Sequence, residues 1–186
     1  MPKKILQQKE KVLRKVAKEI PVKEIKTPKI QKILKEMSDS LRSQHDGVAI
    51  AAPQIGYSLR IFVVSGKIFE PEFGKVPQEI PPRPSGTPPS QGGEETPKDL
   101  VFINPKISKL SRDKDWVPEG CLSVRWLYGK TYRSKKALIT AHDEHGKKFT
   151  RGGSGLLAQI FQHETDHLNG ILFIDHAKDI KEELPK

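Results

Sequence analysis

Residues 155–170, Gly-Leu-Leu-Ala-Gln-Ile-Phe-Gln-His-Glu-Thr-Asp-His-Leu-Asn-Gly, constrain this chain more than any other stretch. The pattern predicts a helix over Leu156–Leu168, with Ser154 as N-cap and Asn169 and Gly170 closing it. Within it His163, Glu164 and His167 form H-E-x-x-H. A spacing of four puts both imidazoles on one face, one turn apart, where they can share a metal ion. Leu156 and Ile160 continue that stripe toward the helix start. Glu164 is rotated about 100° from His163, so it can lie beside an ion as a base without ligating it. The plainer reading is a core helix that carries two histidines. What the stretch lacks is a third ligand.

Cys121 offers one. It lies in Pro118–Ser123, read as a Gly-containing turn able to expose its sulfur. A thiolate is a soft ligand that suits iron or zinc beside two imidazoles, and two His, one Cys and a water make an open catalytic site. The alternative for Cys121 is a small buried hydrophobe. As the only cysteine it also rules out an internal disulfide. No apolar run approaches the roughly 18 residues of a membrane span. No apolar leader follows Met1-Pro-Lys-Lys, so the expected compartment is the cytoplasm.

The 186 residues suffice for one domain with a substantial core, and no repeat or second domain is visible. Ile5–Ile25 reads as an irregular arm that packs a few apolar residues. Thr27-Pro28 opens an amphipathic helix through Ile30, Ile33, Leu34, Met37 and Leu41, ending near His45–Gly47. Strands are expected at Leu59–Val64, Leu100–Asn104 with an extension at Ile107–Leu110, Lys136–Ala141 and Lys147–Thr150, the last two forming a hairpin. The tail from Asp175 reads as short and charged. Gly47–Gly56 is rich in small residues, with Gln54 behind Pro53. It reads equally as a packed strand and turn or as a substrate-facing edge with an amide donor. Gly66–Pro97 carries eight of the 15 prolines and five glycines, a composition that favours neither helix nor central strand and predicts an extended surface segment. Net charge is +10, of which residues 1–40 supply +7 from 12 Lys+Arg and 5 Asp+Glu. That basic end attracts an anionic partner such as RNA, a ribosome or a membrane surface, or else is a solvated lysine face.

Three stretches together resemble one family, the peptide deformylases. The family's Gly-x-Gly-x-Ala-Ala-x-Gln stands here as Gly47–Gln54, with Ala49 in place of the second glycine. Glu-Gly-Cys-Leu-Ser is complete at Glu119–Ser123, and Gln-His-Glu-x-Asp-His-Leu-x-Gly at Gln162–Gly170. The likeness runs from Pro28 to about Asp175. It departs from the family at Ala49, in the length of Gly66–Pro97 and in Val124–Arg133.

The resemblance implies an α+β fold of mixed or antiparallel strands packed around a central metal-binding helix. It implies one domain over residues 1–186 with a Pro/Gly-rich surface insertion at about 66–98. The implied activity is removal of the formyl group from N-formylmethionine at the start of new polypeptides. Cys121, His163 and His167 would hold one divalent ion, ferrous iron (Fe2+) first, with Zn2+ or Ni2+ as alternatives. Glu164 would move the proton, and the Gln54 amide and the Leu122 backbone N–H would stabilise the oxyanion. Gly47, Val48, Ala49, Ile50 and Gly120 would take the peptide, and Leu156 and Ile160 would line the methionine pocket. Asp166 would pair with Arg133. Implied partners are formylmethionyl peptides and, through the basic N-terminal region, the ribosome, with neither DNA nor membrane; oligomeric state is not indicated. Two competing readings stay open: an H-E-x-x-H zinc endopeptidase (with a Cys121 thiol hydrolase as a further variant), and a non-catalytic ribosome- or RNA-associated metal protein.

Overall fold

The structure, a computed structural model, describes residues 2–70, 73 and 97–184. Five strands form one antiparallel sheet: β1 (Ala49–Ala51), β2 (Ile61–Val64), β3 (Leu100–Leu110), β6 (Lys136–His142) and β7 (Lys148–Ser154), in the spatial order β1-β2-β3-β6-β7. A second sheet has the order β4-β5-β8, from β4 (Lys114–Gly120), β5 (Leu127–Ser134) and β8 (Lys178–Glu182). The two α-helices among the described residues are α1 (Pro28–Arg42) and α2 (Gly155–Leu168). All strand pairings are antiparallel, and the class is α+β.

The five-stranded sheet is covered on both faces, which explains why β2 is apolar at every position rather than alternating. Ile61 and Val63 join Ile50 and the α1 residues Ile30, Ile33, Leu34, Met37 and Leu41 in one buried cluster. Phe62 and Val64 turn the other way, into a cluster with Ala49, Ala51, Phe102, Ile139 and the α2 residues Ala158, Ile160, Phe161 and Leu168. Phe62 stacks on Phe102 at 4.5 Å between ring centroids, and Phe161 meets Phe102 edge-on at 5.3 Å. α2 thereby rests on β1, β3, β6 and β7, with further contacts to β5. Gly155, at φ +54, lets the chain pass from β7 into α2 with no loop between them.

The expected extension at Ile107–Leu110 does stand: β3 runs through Pro105, with the register shift between Ile103 and Lys106 taking in Asn104 and the proline. Asn104 sits at φ 50, and its side chain brackets Ile20, accepting from its N–H at 2.9 Å and donating to its carbonyl at 2.7 Å. Several other expectations need correction. Pro118–Gly120 is the end of β4, not a turn, since an edge strand tolerates the missing proline donor. The charged tail contains β8, exposed at every position and held to β5 by backbone pairing. Neither Thr27 nor Ser154 caps its helix with its side chain; the Thr27 hydroxyl donates backward to the Glu24 carbonyl at 2.7 Å. In the Pro/Gly-rich stretch, Gly66–Phe69 forms a 3-10 turn, and a side chain at Gly66 would collide with the Pro97 carbonyl. That stretch leaves and re-enters between two interior strands, at the Val64–Leu100 pair. Pro71, Glu72 and residues 74–96, where most of the expected surface insertion falls, lie outside the described residues.

Candidate metal and active site

α2 presents His163 and Glu164 to a cleft of about 320 Å³ that is also lined by Gly47, Val48, Ala49, Gln54, Glu119, Gly120, Cys121, Leu122, Leu156 and Ile160. His167 stands one turn beyond, buried. Cys121 follows β4 directly, so the edge strand delivers its sulfur to the helix. Cys121 Sγ lies 3.2 Å from His167 Nε2, which lies 3.2 Å from His163 Nε2, and the three donor atoms all fall within 4.8 Å of one another.

The donor set fits a divalent ion. Donors held 2.0–2.3 Å from a tetrahedral ion stand about 3.5 Å apart, close to the two 3.2 Å separations at His167. The cluster also draws positive charge. Burial works against an imidazolium at His163, yet its contacts with Cys121 and Glu119 outweigh burial and raise its pKa well above the ordinary value. His167 is pushed well below the ordinary value, by burial first and then by His163. Neutral His167 is the form that offers a lone pair.

Glu164 is buried, and its Oε2 has no hydrogen-bond partner among the described residues. Burial pushes it up to about 7, with the Glu119 and Asp166 carboxylates adding to the rise against the pull of His163. A carboxyl poised near neutrality can both accept and return a proton. Gln54, in the 3-10 turn Ala52–Ile55, is aimed by its own carbonyl oxygen, which accepts from the Ala51 N–H at 2.7 Å. Its amide then donates to Ser123 Oγ at 3.1 Å and toward Cys121 Sγ at 3.6 Å.

Some residues behave differently from expectation. Ile50 does not reach the cleft: strand alternation turns its side chain into the α1 cluster, while Ala49 faces the site. Leu156 is 42% exposed and Ile160 is buried, so Ile160 supplies the covered part of the apolar lining. Arg133, as expected, pairs with Asp166 at 2.7 Å, joining β5 to α2.

Sequence reasoning passed over Glu119. Its carboxylate meets His163 Nδ1 at 2.6 Å, takes Arg133 through two nitrogens at 3.0 and 2.7 Å, and accepts from the Thr131 hydroxyl at 2.6 Å. The signal was available: metal-bound histidines commonly give their second N–H to a carboxylate, and Glu119 stands only two residues before Cys121. Arg125 was also passed over. It bridges to Asp46 at 2.6 Å and Gln44 at 2.7 Å, and its guanidinium lies 5.4 Å from the ring centre of Trp126. Trp126 has φ 68, a costly conformation for a bulky residue, and lines the cleft with Arg125 and Asp46.

Known proteins resemble this chain over most of its length. A sequence model of the polypeptide deformylase family matches residues 2–183. The peptide deformylase of Carboxydothermus hydrogenoformans is 37% identical over 169 residues, covering 91% of this chain and 89% of that protein. A peptide deformylase crystal structure from Legionella pneumophila superposes with a TM-score of 0.74 at 32% identity, covering 96% of this chain and 88% of its own. A Met-Ala-Ser-bound class I type b peptide deformylase from Acinetobacter baumannii does so with a TM-score of 0.74 at 26% identity, covering 95% of this chain and 99% of its own. Neither the endopeptidase reading nor the non-catalytic reading finds support among these relatives.

Proposed function

The chain belongs to the polypeptide deformylase family, and we propose that Cys121, His163 and His167 hold its divalent metal while Glu164 carries the proton. Membership makes it a metal-dependent hydrolase that removes the formyl group from the N-terminal formylmethionine of new polypeptides. The observation that carries the residue assignment is the triangle of Cys121, His163 and His167 donors beside the unpartnered Glu164 oxygen.

β1 is an edge strand, so a peptide can add alongside Val48–Ile50 through its backbone. Gly47 and Gly120 line the cleft where their backbones pack closely on the protein: a side chain at Gly120 would strike Tyr128, and one at Gly47 would meet Leu41, Gln44 and Leu122. Leu156 and Ile160 receive the methionine side chain. When bound, the ion activates water and polarises the formyl carbonyl. Glu164 takes the proton from the attacking water. The Gln54 amide and the Leu122 N–H donate to the oxygen on which charge develops, a contact whose loss typically costs about 3 kcal/mol. The formyl carbon–nitrogen bond then breaks, Glu164 gives its proton to the departing amine, and formate leaves. Ala49 narrows the same wall by a methyl relative to glycine, so acetyl-methionine peptides should be poor substrates.

The finer assignments belong to the same proposal. The family resemblance points to ferrous iron as the native ion, and a thiolate beside two imidazoles accepts zinc or nickel as well. Residues 1–186 act as one domain. The +7 charge of residues 1–40 draws the enzyme toward the ribosome, where its substrates emerge. None of the described helices is long and apolar enough to cross a membrane, and the proposed site of action, taken from the family, is the cytoplasm. Anaerobic purification, metal analysis and deformylation of formyl-Met-Ala-Ser on the same sample test the assignment. Full metal loading without formate release would refute it, as would activity that survives removal of the metal.

A further inference from the structure

Residues 1–40 carry many lysines and no aromatic side chain. The fold brings lysines and aromatics together elsewhere, on the outer face of the β4-β5-β8 sheet. Trp116 of β4 stands directly opposite Tyr132 of β5. Alternation along these strands places Lys114, Trp116, Lys130 and Tyr132 on the face opposite to Glu119, Thr131 and Arg133. The Trp116 and Tyr132 rings are 5.3 Å apart and tilted by 37°, with the residues 40% and 53% exposed. Lys178 Nζ lies 4.5 Å from the Trp116 ring centre and Lys114 Nζ lies 5.7 Å from that of Tyr132.

The charges near this face are not balanced. Asp179 is taken by Lys130 at 3.3 Å, and Asp113 and Asp115 are taken by Lys135 at 3.2 and 4.0 Å. Lys114 and Lys178 have no carboxylate partner among the described residues. Two exposed rings, each with an ammonium group over it that no carboxylate neutralises, complement a strand that carries bases and phosphates in alternation. Stacking on aromatic side chains and phosphate contact by lysines are how single strands are held without regard to sequence. An apolar protein partner would leave both ammonium groups unanswered.

We propose that the outer face of the β4-β5-β8 sheet binds single-stranded RNA, with bases on Trp116 and Tyr132 and phosphates on Lys114 and Lys178. Trp116 and Tyr132 lie on the side opposite to Glu119, while Gly120 and Tyr128, further along the same face, line the cleft. The site goes beyond the reading of the cleft and does not depend on it.

Fluorescence anisotropy of a labelled 12-nucleotide oligouridylate against the metal-loaded enzyme, over a salt series, tests the proposal. W116A/Y132A should weaken binding about tenfold or more and leave the salt slope unchanged. K114Q/K178Q should weaken binding and reduce the slope of log affinity against log salt by about 1.4. Both variants should deformylate formyl-Met-Ala-Ser at the wild-type rate, which also reports that they fold. K9E/K11E, on the N-terminal arm, should weaken binding less than W116A/Y132A. The proposal is overturned if the arm variant loses binding while the face variants keep it. It is overturned equally if duplex RNA or anionic phospholipid vesicles bind as tightly and with the same response to W116A/Y132A. Absence of binding at about 0.15 M salt overturns it as well and leaves the face to a protein partner.

Discussion

Glu119 is the side chain on which helix, sheet and donor cluster converge, so replacing it should disturb all three at once. In Glu119→Ala, His163 Nδ1 loses its 2.6 Å partner, Thr131 loses its acceptor, and Arg133 keeps only Asp166 at 2.7 Å. Glu119 and Arg133 are both buried, at 6% and 7% exposure, so the lost contacts are not replaced by bulk water. Removing one member of a buried pair costs about 3–5 kcal/mol. Asp166 retains one arm of the guanidinium, which places the expectation at the lower end, about 3 kcal/mol. At about 2–4 °C of Tm per kcal/mol for a chain of this size, the metal-free protein should melt about 6–12 °C lower. Metal affinity should fall about 10–100-fold, because His163 is no longer oriented by its second nitrogen. Glu119→Gln offers one acceptor where the carboxylate offers two, so it should show the same losses at roughly half the free energy. Acid adds a signed test. Burial opposes ionisation of Glu119, but its hydrogen bonds and charge interactions with His163 and Arg133 outweigh burial and hold its carboxyl well below the usual range. A carboxyl depressed on folding stabilises fully above the ordinary value of about 4.3, and that stability is lost as pH falls below it. Thermal melts between pH 3 and 8 should therefore show a shallower acid limb in Glu119→Gln than in the wild type, and competition with a chelator should give the affinities. A Glu119→Ala protein with unchanged Tm and unchanged metal affinity would refute the argument.

Glu164→Ala should retain its metal and lose turnover by about 10²–10⁴-fold, whereas Cys121→Ser should lose the metal itself, as read by elemental analysis beside formate release. Arg125→Ala should raise KM for formyl-Met-Ala-Ser with little change in kcat, because the bridge to Asp46 and Gln44 shapes the cleft and does not touch the reacting atoms. Phe161→Ala should cost about 3–5 kcal/mol in denaturant unfolding, since it removes the α2 side of the Phe62–Phe102 stack. Replacing residues 74–96 with four Gly-Ser residues should leave metal content and tripeptide turnover intact and raise stability by about 1.5 kcal/mol through cheaper loop closure; loss of folding would show that this segment belongs to the core.

The parts of the fold legible in the sequence are those whose burial leaves a period. α1 shows Ile30, Ile33, Leu34, Met37 and Leu41 on one face, and the structure buries all five. β2 announces itself as Ile61–Val64 because both its faces are covered. β4 and β8 were not legible for the converse reason. β8 is exposed throughout, and β4 mixes Lys114, Asp115 and Pro118 into its pairing, so backbone hydrogen bonds and cross-strand neighbours hold them with no apolar stripe to betray them. The Trp116–Tyr132 pair exists only through the β4–β5 register, which no local pattern discloses.

The same distinction divides the site. His163, Glu164 and His167 are legible because one helix fixes their relative placement within a turn. Cys121 is legible only as a chemical type in need of partners, since 42 residues separate it from His163. What closes that gap is the Glu119–Arg133–Asp166 chain of contacts, which ties the end of β4 through β5 to α2. Glu119 and Cys121 emerge from the same strand end, so the contact that orients His163 also sets where the sulfur can lie. Ile50 illustrates the limit from the other side. Proximity in sequence placed it with Ala49 at the cleft, but the two point to opposite faces of β1, one toward α2 and the metal donors and the other toward α1. A motif can therefore name the chemistry and its order along the chain, while the direction of each side chain waits on the sheet that the rest of the chain builds.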